Sequence, residues 1–173
     1  MALNQILRNA LLLLLVLVNL SCDQISKRIA RANLSYYEEV NVINNHFILT
    51  KVENSGAFLS VGNNLPTPIK LIFLSVLPFA ILAFGLYYLL QNKNTPILLA
   101  IGIAFTLGGG IGNLYDRILH GSVTDFMHIN YSFIKTGIFN MADVSIMIGM
   151  SLILLNLISN QSKIVSTSNT LTE

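Results

Sequence analysis

The sequence predicts a membrane all-α fold, with four transmembrane helices and a small β element lying on the membrane surface. Three observations carry that prediction. Of the 173 residues, 53% are hydrophobic and only 10% are charged, against about a quarter charged in soluble domains. A chain this short cannot form a core large enough to hide so much apolar surface from water. The apolar residues also gather into four runs, three of them with the roughly 17–25 residues that a helix needs to cross a bilayer.

The first span covers about residues 9–30. Its purely apolar part, Ala10 to Leu20, is short and borrows polar residues to cross. The polar stretch at about 32–68 holds two β-rich runs, Val40–Val42 and Phe47–Val52. Turn residues punctuate it at Asn44–Asn45, Asn54–Ser55–Gly56 and Gly62–Asn63–Asn64. The second span covers about 69–90 and the third about 96–116. The short loop Gln91–Thr95 makes them antiparallel neighbours. Leu119 to Gly137 reads as a mixed loop that leads back to the membrane, where the fourth span covers about 139–158. Residues 161–173 are a polar tail that reads as disordered. Residues 1–160 thus form one membrane domain, and an even number of spans places both termini on one side. With cytoplasmic termini, Arg8, Lys93 and Lys163 lie inside. Lys27, Arg28, Arg31, Lys51, Lys70, Arg117 and Lys135 then lie outside, against the positive-inside rule.

Composition excludes several functions. A net charge of +2 with no basic stripe gives no footing for nucleic acid. One cysteine forms no intramolecular disulfide. With three histidines, His46, His120 and His128, and no HExxH spacing, neither a structural nor a catalytic zinc site is expected, and no cofactor motif is present. Arg8, the apolar run and Leu20-Ser-Cys22 resemble the signal peptide of a bacterial lipoprotein. Asn19 at the third position before the cysteine and three further spans argue against that reading. Cys22 then reads as a small buried apolar residue.

The acids carry the chemistry. Apart from Glu173, they fall in or beside the same half of the membrane domain: Asp23, Glu38, Glu39, Glu53, Asp116, Asp125 and Asp143. An ionisable group at membrane depth costs at least about 2.5–3.5 kcal/mol at a helix centre, so each is a functional candidate. Asp23 and Lys27 are spaced i, i+4 in the favourable acid-before-base order. Their bland reading is a helix-end pair whose lysine snorkels to the interface. Asn113-Leu-Tyr-Asp116 ends the third span and Asn140-Met-Ala-Asp143 begins the fourth. In a helix each Asn shares a face with its Asp, and Arg117 follows Asp116 as a ready ion-pair partner. The rival reading of both is polar glue between helices.

Asp125 sits in Val123-Thr-Asp-Phe126. Apolar surroundings raise a carboxyl pKa, and a second carboxylate nearby raises it further. Such a pair holds one proton at working pH. One member then takes a proton from water while the other hydrogen-bonds a scissile carbonyl. Gly108 and Gly112 form a GxxxG face suited to close helix packing, including packing against a substrate helix. The P-loop lysine and serine are missing, so a phosphate cradle is not indicated. A proton-coupled transporter is the rival class, with the acids as relay groups; no inverted repeat supports it.

The order of these motifs is more specific than any one of them. Asp23-Gln-Ile-Ser-Lys27 comes first, then Asn54-Ser-Gly-Ala-Phe58. Gly109-Gly-Ile-Gly-Asn113-Leu-Tyr-Asp-Arg117, Val123-Thr-Asp-Phe126 and Phe139-Asn-Met-Ala-Asp143 follow. The series resembles that of the bacterial lipoprotein signal peptidases (signal peptidase II) over nearly the whole chain. The resemblance implies a four-helix aspartic endopeptidase of the bacterial inner membrane, with both termini cytoplasmic and a small extracytoplasmic β-cradle. Its substrates would be prolipoproteins carrying a diacylglyceryl-cysteine, cut on the amino side of that cysteine. It would need no cofactor or metal, act as a monomer among membrane lipid and be inhibited by globomycin. Position by position, Asp125 and Asp143 match the catalytic pair. Asn113, Asp116, Arg117 and Asn140 match the supporting shell, and Asp23, Lys27, Asn54 and Gly56 match residues around the binding site. Thr124, where valine is common, and the lack of tryptophan are the departures.

Overall fold

Helix α1 runs Ala2–Asn33 with no Gly or Pro to interrupt it. The structure, a computed structural model, describes residues 2–44, 46–56, 62, 65–131 and 134–170. Asn45, Ala57, Phe58, Asn63 and Asn64, which the sequence reading uses in its turns and in one motif, lie outside the described residues. After α1 come strands β1 (Val40–Ile43) and β2 (Phe47–Asn54). Helix α2 (Thr67–Gln91) and helix α3 (Ile97–His120) follow. Strands β3 (Val123–Tyr131) and β4 (Ile134–Lys135) lead to α4 (Met141–Thr170). Among the described residues, these four helices are long and apolar enough to cross a membrane. The apolar part of α4 ends at Asn160. Beyond it the backbone stays helical to Thr170 rather than forming the irregular tail expected, because no Gly or Pro stands in that stretch to stop it.

The helices are apolar on both sides, and the two sides meet different surroundings. Leu12, Val16, Leu89, Ala100, Ala104 and Leu107 are buried together where α1, α2 and α3 meet. Leu11, Leu14, Leu17, Phe79, Phe84, Leu154 and Leu157 are exposed. In a membrane that outer belt is the lipid face. Cys22 belongs to it: the structure leaves this residue exposed, not buried as the sequence reading has it. Asp23 faces inward, and the helical turn carries its predecessor about 100° around to the lipid side. Arg8 and Asn9 of α1 donate to the carbonyls of Leu89 and Leu90, capping the end of α2.

Small residues bring α3 close to its neighbours. A Cβ added at Gly108 would lie 2.6 Å from the Asn19 Cβ, and one at Gly112 would collide with the Asp23 carboxylate. Both contacts are with α1. The GxxxG face is therefore occupied within the chain and is not offered to a substrate helix, a correction to the sequence reading. Gly109 meets the Ala142 carbonyl of α4 in the same way. Gly112→Ala is expected to lower stability by about 1–3 kcal/mol, the usual cost of overpacking. The check is thermal unfolding in detergent, and an unchanged midpoint would contradict the close approach.

A π-helical turn at Ile72–Val76 interrupts α2 just before Pro78. Proline has no N–H to donate and its ring crowds the preceding turn, so the wider turn relieves the clash. Above the helices lies an antiparallel sheet of order β1-β2-β3-β4. Glu53 pairs with Thr124 and Asn54 with Val123, with a register shift between Leu49 and Val52. The stretch read from sequence as a mixed loop thus supplies half the sheet. Its strand signal is diluted because Asp125, His128 and Asn130 interrupt β-forming Val123, Phe126, Ile129 and Tyr131. Ala30, Phe126 and Met127, with Leu49, Phe139 and Val144, seat the sheet on the ends of α1 and α4.

Candidate active site

Asn140 organises the site because it is the N-cap of α4. Its Oδ1 accepts the Asp143 N–H at 3.0 Å, and an Asp143 Oδ2 accepts the Asn140 N–H at 3.1 Å. This is a reciprocal capping box, in which two otherwise unpartnered helix-end donors are satisfied. The sequence reading placed Asn140 within the helix, on one face with Asp143; the structure places it at the cap. The consequence is directional. With Oδ1 committed to the helix, the Asn140 Nδ2 can only donate, and it does so to Asp125 Oδ1 at 2.6 Å and Asn113 Oδ1 at 3.2 Å.

Asp125 extends from the buried run Val123–Met127 of β3. Its second oxygen accepts from Asn54 Nδ2 at 3.0 Å. Asn54 Oδ1 in turn accepts the Gly56 N–H, and the Gly56 carbonyl accepts from Arg117 Nη2 at 2.9 Å. Burial pushes the Asp125 carboxyl up to about 6, and Asp143 adds to the rise. The hydrogen bonds from Asn54 and Asn140 oppose it without cancelling it. Asp143 Oδ1 accepts from Asn113 Nδ2 at 2.9 Å. Asp125, Asp143, Asn54, Asn113, Asn140 and Arg117 all line one cavity of about 420 Å³, walled on its apolar side by Phe73, Leu74, Pro78 and Met147. A second, largely apolar cavity of about 750 Å³ adjoins it, sharing Ile138, Asp143 and Met147.

Asp23, Lys27 and Asp116 are not on the cavity wall. Lys27 does not snorkel: with 0% exposure, its ammonium bonds Asp23 at 2.8 Å, Asp116 at 2.9 Å and Asn113 Oδ1 at 2.8 Å. A donor-only ammonium turns Asn113 so that its Nδ2 must face Asp143. Asp23 spends its other oxygen on the Ala142 N–H at 2.9 Å, in the first turn of α4. Asp116 pairs with Lys27 and Arg31, not with its chain neighbour Arg117. Adjacent helical residues point about 100° apart, so that expected pairing had no geometry to support it.

Sequence reasoning assigned no role to Arg31, Gln24 or Thr124 and named Glu53 only among the candidate acids. Gln24 donates to Asp23, to the Gly112 carbonyl and to Asp116. Arg31 was visible as the next helical turn after Lys27, on the same side as Asp23. His46 contacts Tyr131 and the Asn130 carbonyl, away from the cavity. Among the described residues, no group of three or more His, Cys, Asp or Glu side chains is arranged to hold a metal.

A family model described as signal peptidase (SPase) II matches residues 15–159. The lipoprotein signal peptidase of Pseudoalteromonas translucida is 35% identical over 86% of this chain and 88% of its own length. That of Pasteurella multocida is 34% identical over 80% and 83%. A bacterial membrane enzyme solved by the in meso method at 2.3 Å superposes with a TM-score of 0.79 at 26% identity, covering 89% of this chain and 91% of its own.

Proposed function

Since this chain belongs to the signal peptidase II family, we propose that it hydrolyses diacylglyceryl-modified prolipoproteins on the amino side of the lipidated cysteine, with Asp125 and Asp143 as its catalytic carboxyls. The supporting observation is the Asn140 side chain, which caps Asp143 and donates to Asp125 at the wall of a shared cavity. Asp143 takes a proton from water as the water oxygen attacks the scissile carbonyl. Asp125 holds a proton and donates it toward the carbonyl oxygen, stabilising the tetrahedral intermediate. Collapse breaks the C–N bond, and a proton passes to the departing cysteine nitrogen. No covalent intermediate is needed.

The apolar neighbouring cavity suits the diacylglyceryl group. Keeping that group against apolar walls or in lipid avoids about 0.8 kcal/mol per CH₂ exposed to water. Arg117, through the Gly56 carbonyl, holds the end of β2 over the site. One chain supplies both carboxyls, so a monomer suffices. The enzyme sits in the bacterial inner membrane with both termini cytoplasmic and the cavity near the extracytoplasmic face.

The test is cleavage of a prolipoprotein with and without its diacylglyceryl group by the purified chain in detergent. Cleavage of the lipidated form alone, blocked by globomycin, is expected; equal cleavage of both forms would remove the lipid from the reading. The pH dependence follows from Asp125. Its proton is present below about 6 and lost above, and the one-proton state of the pair is the active one. The kcat/KM profile of the free enzyme should therefore fall as pH rises through about 6, with the kcat limb higher once substrate excludes water. A kcat/KM that instead rises through that pH would make the fully ionised pair the active form and overturn the one-proton reading.

A further inference from the structure

On the face of the sheet opposite Asp125, a second polar chain runs from the ion cluster to β2. Arg31 Nη2 lies 3.0 Å from Asp116 Oδ1, and Arg31 Nε donates to Thr124 Oγ1 at 2.8 Å. Thr124 Oγ1 donates to Glu53 Oε1 at 2.7 Å, and Ser122 Oγ donates to the other Glu53 oxygen at 2.5 Å. Thr124 is fully buried. None of these side chains lines the cavity.

The placement matters because of strand geometry. Successive strand side chains point to opposite faces, so what holds Thr124 also fixes the rotation of β3 that aims Asp125. Glu53 stands opposite Thr124 in the ladder and directly precedes Asn54, the donor to Asp125. Arg31 has its other arm on Asp116, in the cluster whose Lys27 orients Asn113 toward Asp143. Its guanidinium therefore spans the two frames that carry the two carboxyls.

We propose that Arg31, Thr124 and Glu53 are positioning residues that register Asp125 against Asp143 across the sheet–helix junction. The proposal rests on the aspartate-pair reading above. A planar guanidinium reaches Thr124 through Nε and Asp116 through Nη2 at once; a lysine ammonium is a single point and cannot. Thr124→Val keeps the shape of the side chain and removes the hydroxyl. It leaves Arg31 Nε and Glu53 Oε1 without that partner.

The experiment measures kcat, KM and thermal midpoint for the full chain in detergent, with diacylglyceryl-modified prolipoprotein as substrate. Misplacement by about 1 Å can cost up to about a hundredfold in rate. Thr124→Val and Arg31→Lys should each lower kcat by roughly ten- to a hundredfold with KM little changed, and Thr124→Ser should restore the parental kcat. Should Thr124→Val not fold, Arg31→Lys carries the test, since this partly exposed side chain keeps its charge toward Asp116. A parental kcat per folded molecule in either variant, with only the thermal midpoint lowered, would overturn the proposal and leave these residues structural. Asp125→Asn in the same assay separates the two readings. If it is inactive while Thr124→Val is parental, only the positioning role falls; if it still cleaves, the aspartate pair falls and this proposal with it.

Discussion

Asp125→Asn and Asp143→Asn should each reduce cleavage of a lipidated prolipoprotein by at least the roughly 10²–10⁴-fold that a positioned acid or base contributes. The two losses should not multiply. A carboxamide at either position breaks the one-proton state on which both steps depend, so the double variant should be about as slow as the slower single one. Folding should survive at Asp143, because an amide oxygen at the third helical position can still accept the Asn140 N–H. At Asp125 the amide must direct its oxygen to one of two donors, Asn54 or Asn140, and lose the other. A modest fall in thermal midpoint is expected there and likewise at Asp143, whose amide keeps the Asn140 N–H and loses the Asn113 donor. Turnover by purified single and double variants, with substrate retention measured alongside, is the check. Activity within a few-fold of the parent in either single variant would break the assignment.

Lys27→Ala should be the most damaging substitution to the fold. Lys27 is 0% exposed and is the ion-pair partner of Asp23, while it shares Asp116 with Arg31. Removing one member of a buried ion cluster leaves the rest uncompensated, at a cost of about 3–5 kcal/mol. The damage spreads along identifiable bonds. Asp23 also caps the first turn of α4 through Ala142, and Asn113 loses the donor that sets its amide orientation toward Asp143. The expected result is a large drop in thermal midpoint in detergent and loss of activity in whatever folds. A midpoint close to that of the parent would mean that the three helices are held by something other than this cluster.

The same cluster bears on why the charge count disagrees with the proposed orientation. Lys27 and Arg31 are committed to Asp23 and Asp116, and Lys51 lies buried with its ammonium 4.4 Å from the Tyr36 ring centroid. Cations neutralised inside the fold are not the free flanking charges that the positive-inside rule counts.

The sequence by itself determined that this is a membrane protein of four helices with a small β element, because hydropathy over a helix length is a local property and lipid imposes one length on every span. It also determined which residue types stand where in the motif series, and so the family. What only the tertiary structure decided are the pairings. Asp116 chooses Lys27 and Arg31 over adjacent Arg117, Gly108 and Gly112 receive α1, and Asn140 leaves the helix face to cap it. The strand carrying Asp125 was hidden because Thr124 and Asp125, adjacent polar residues that break the alternation expected of a strand, find their partners on α1, on β2 and at the cap of α4. A buried polar group must be satisfied by whatever the fold brings within hydrogen-bonding distance, and that depends on packing between segments up to 126 positions apart.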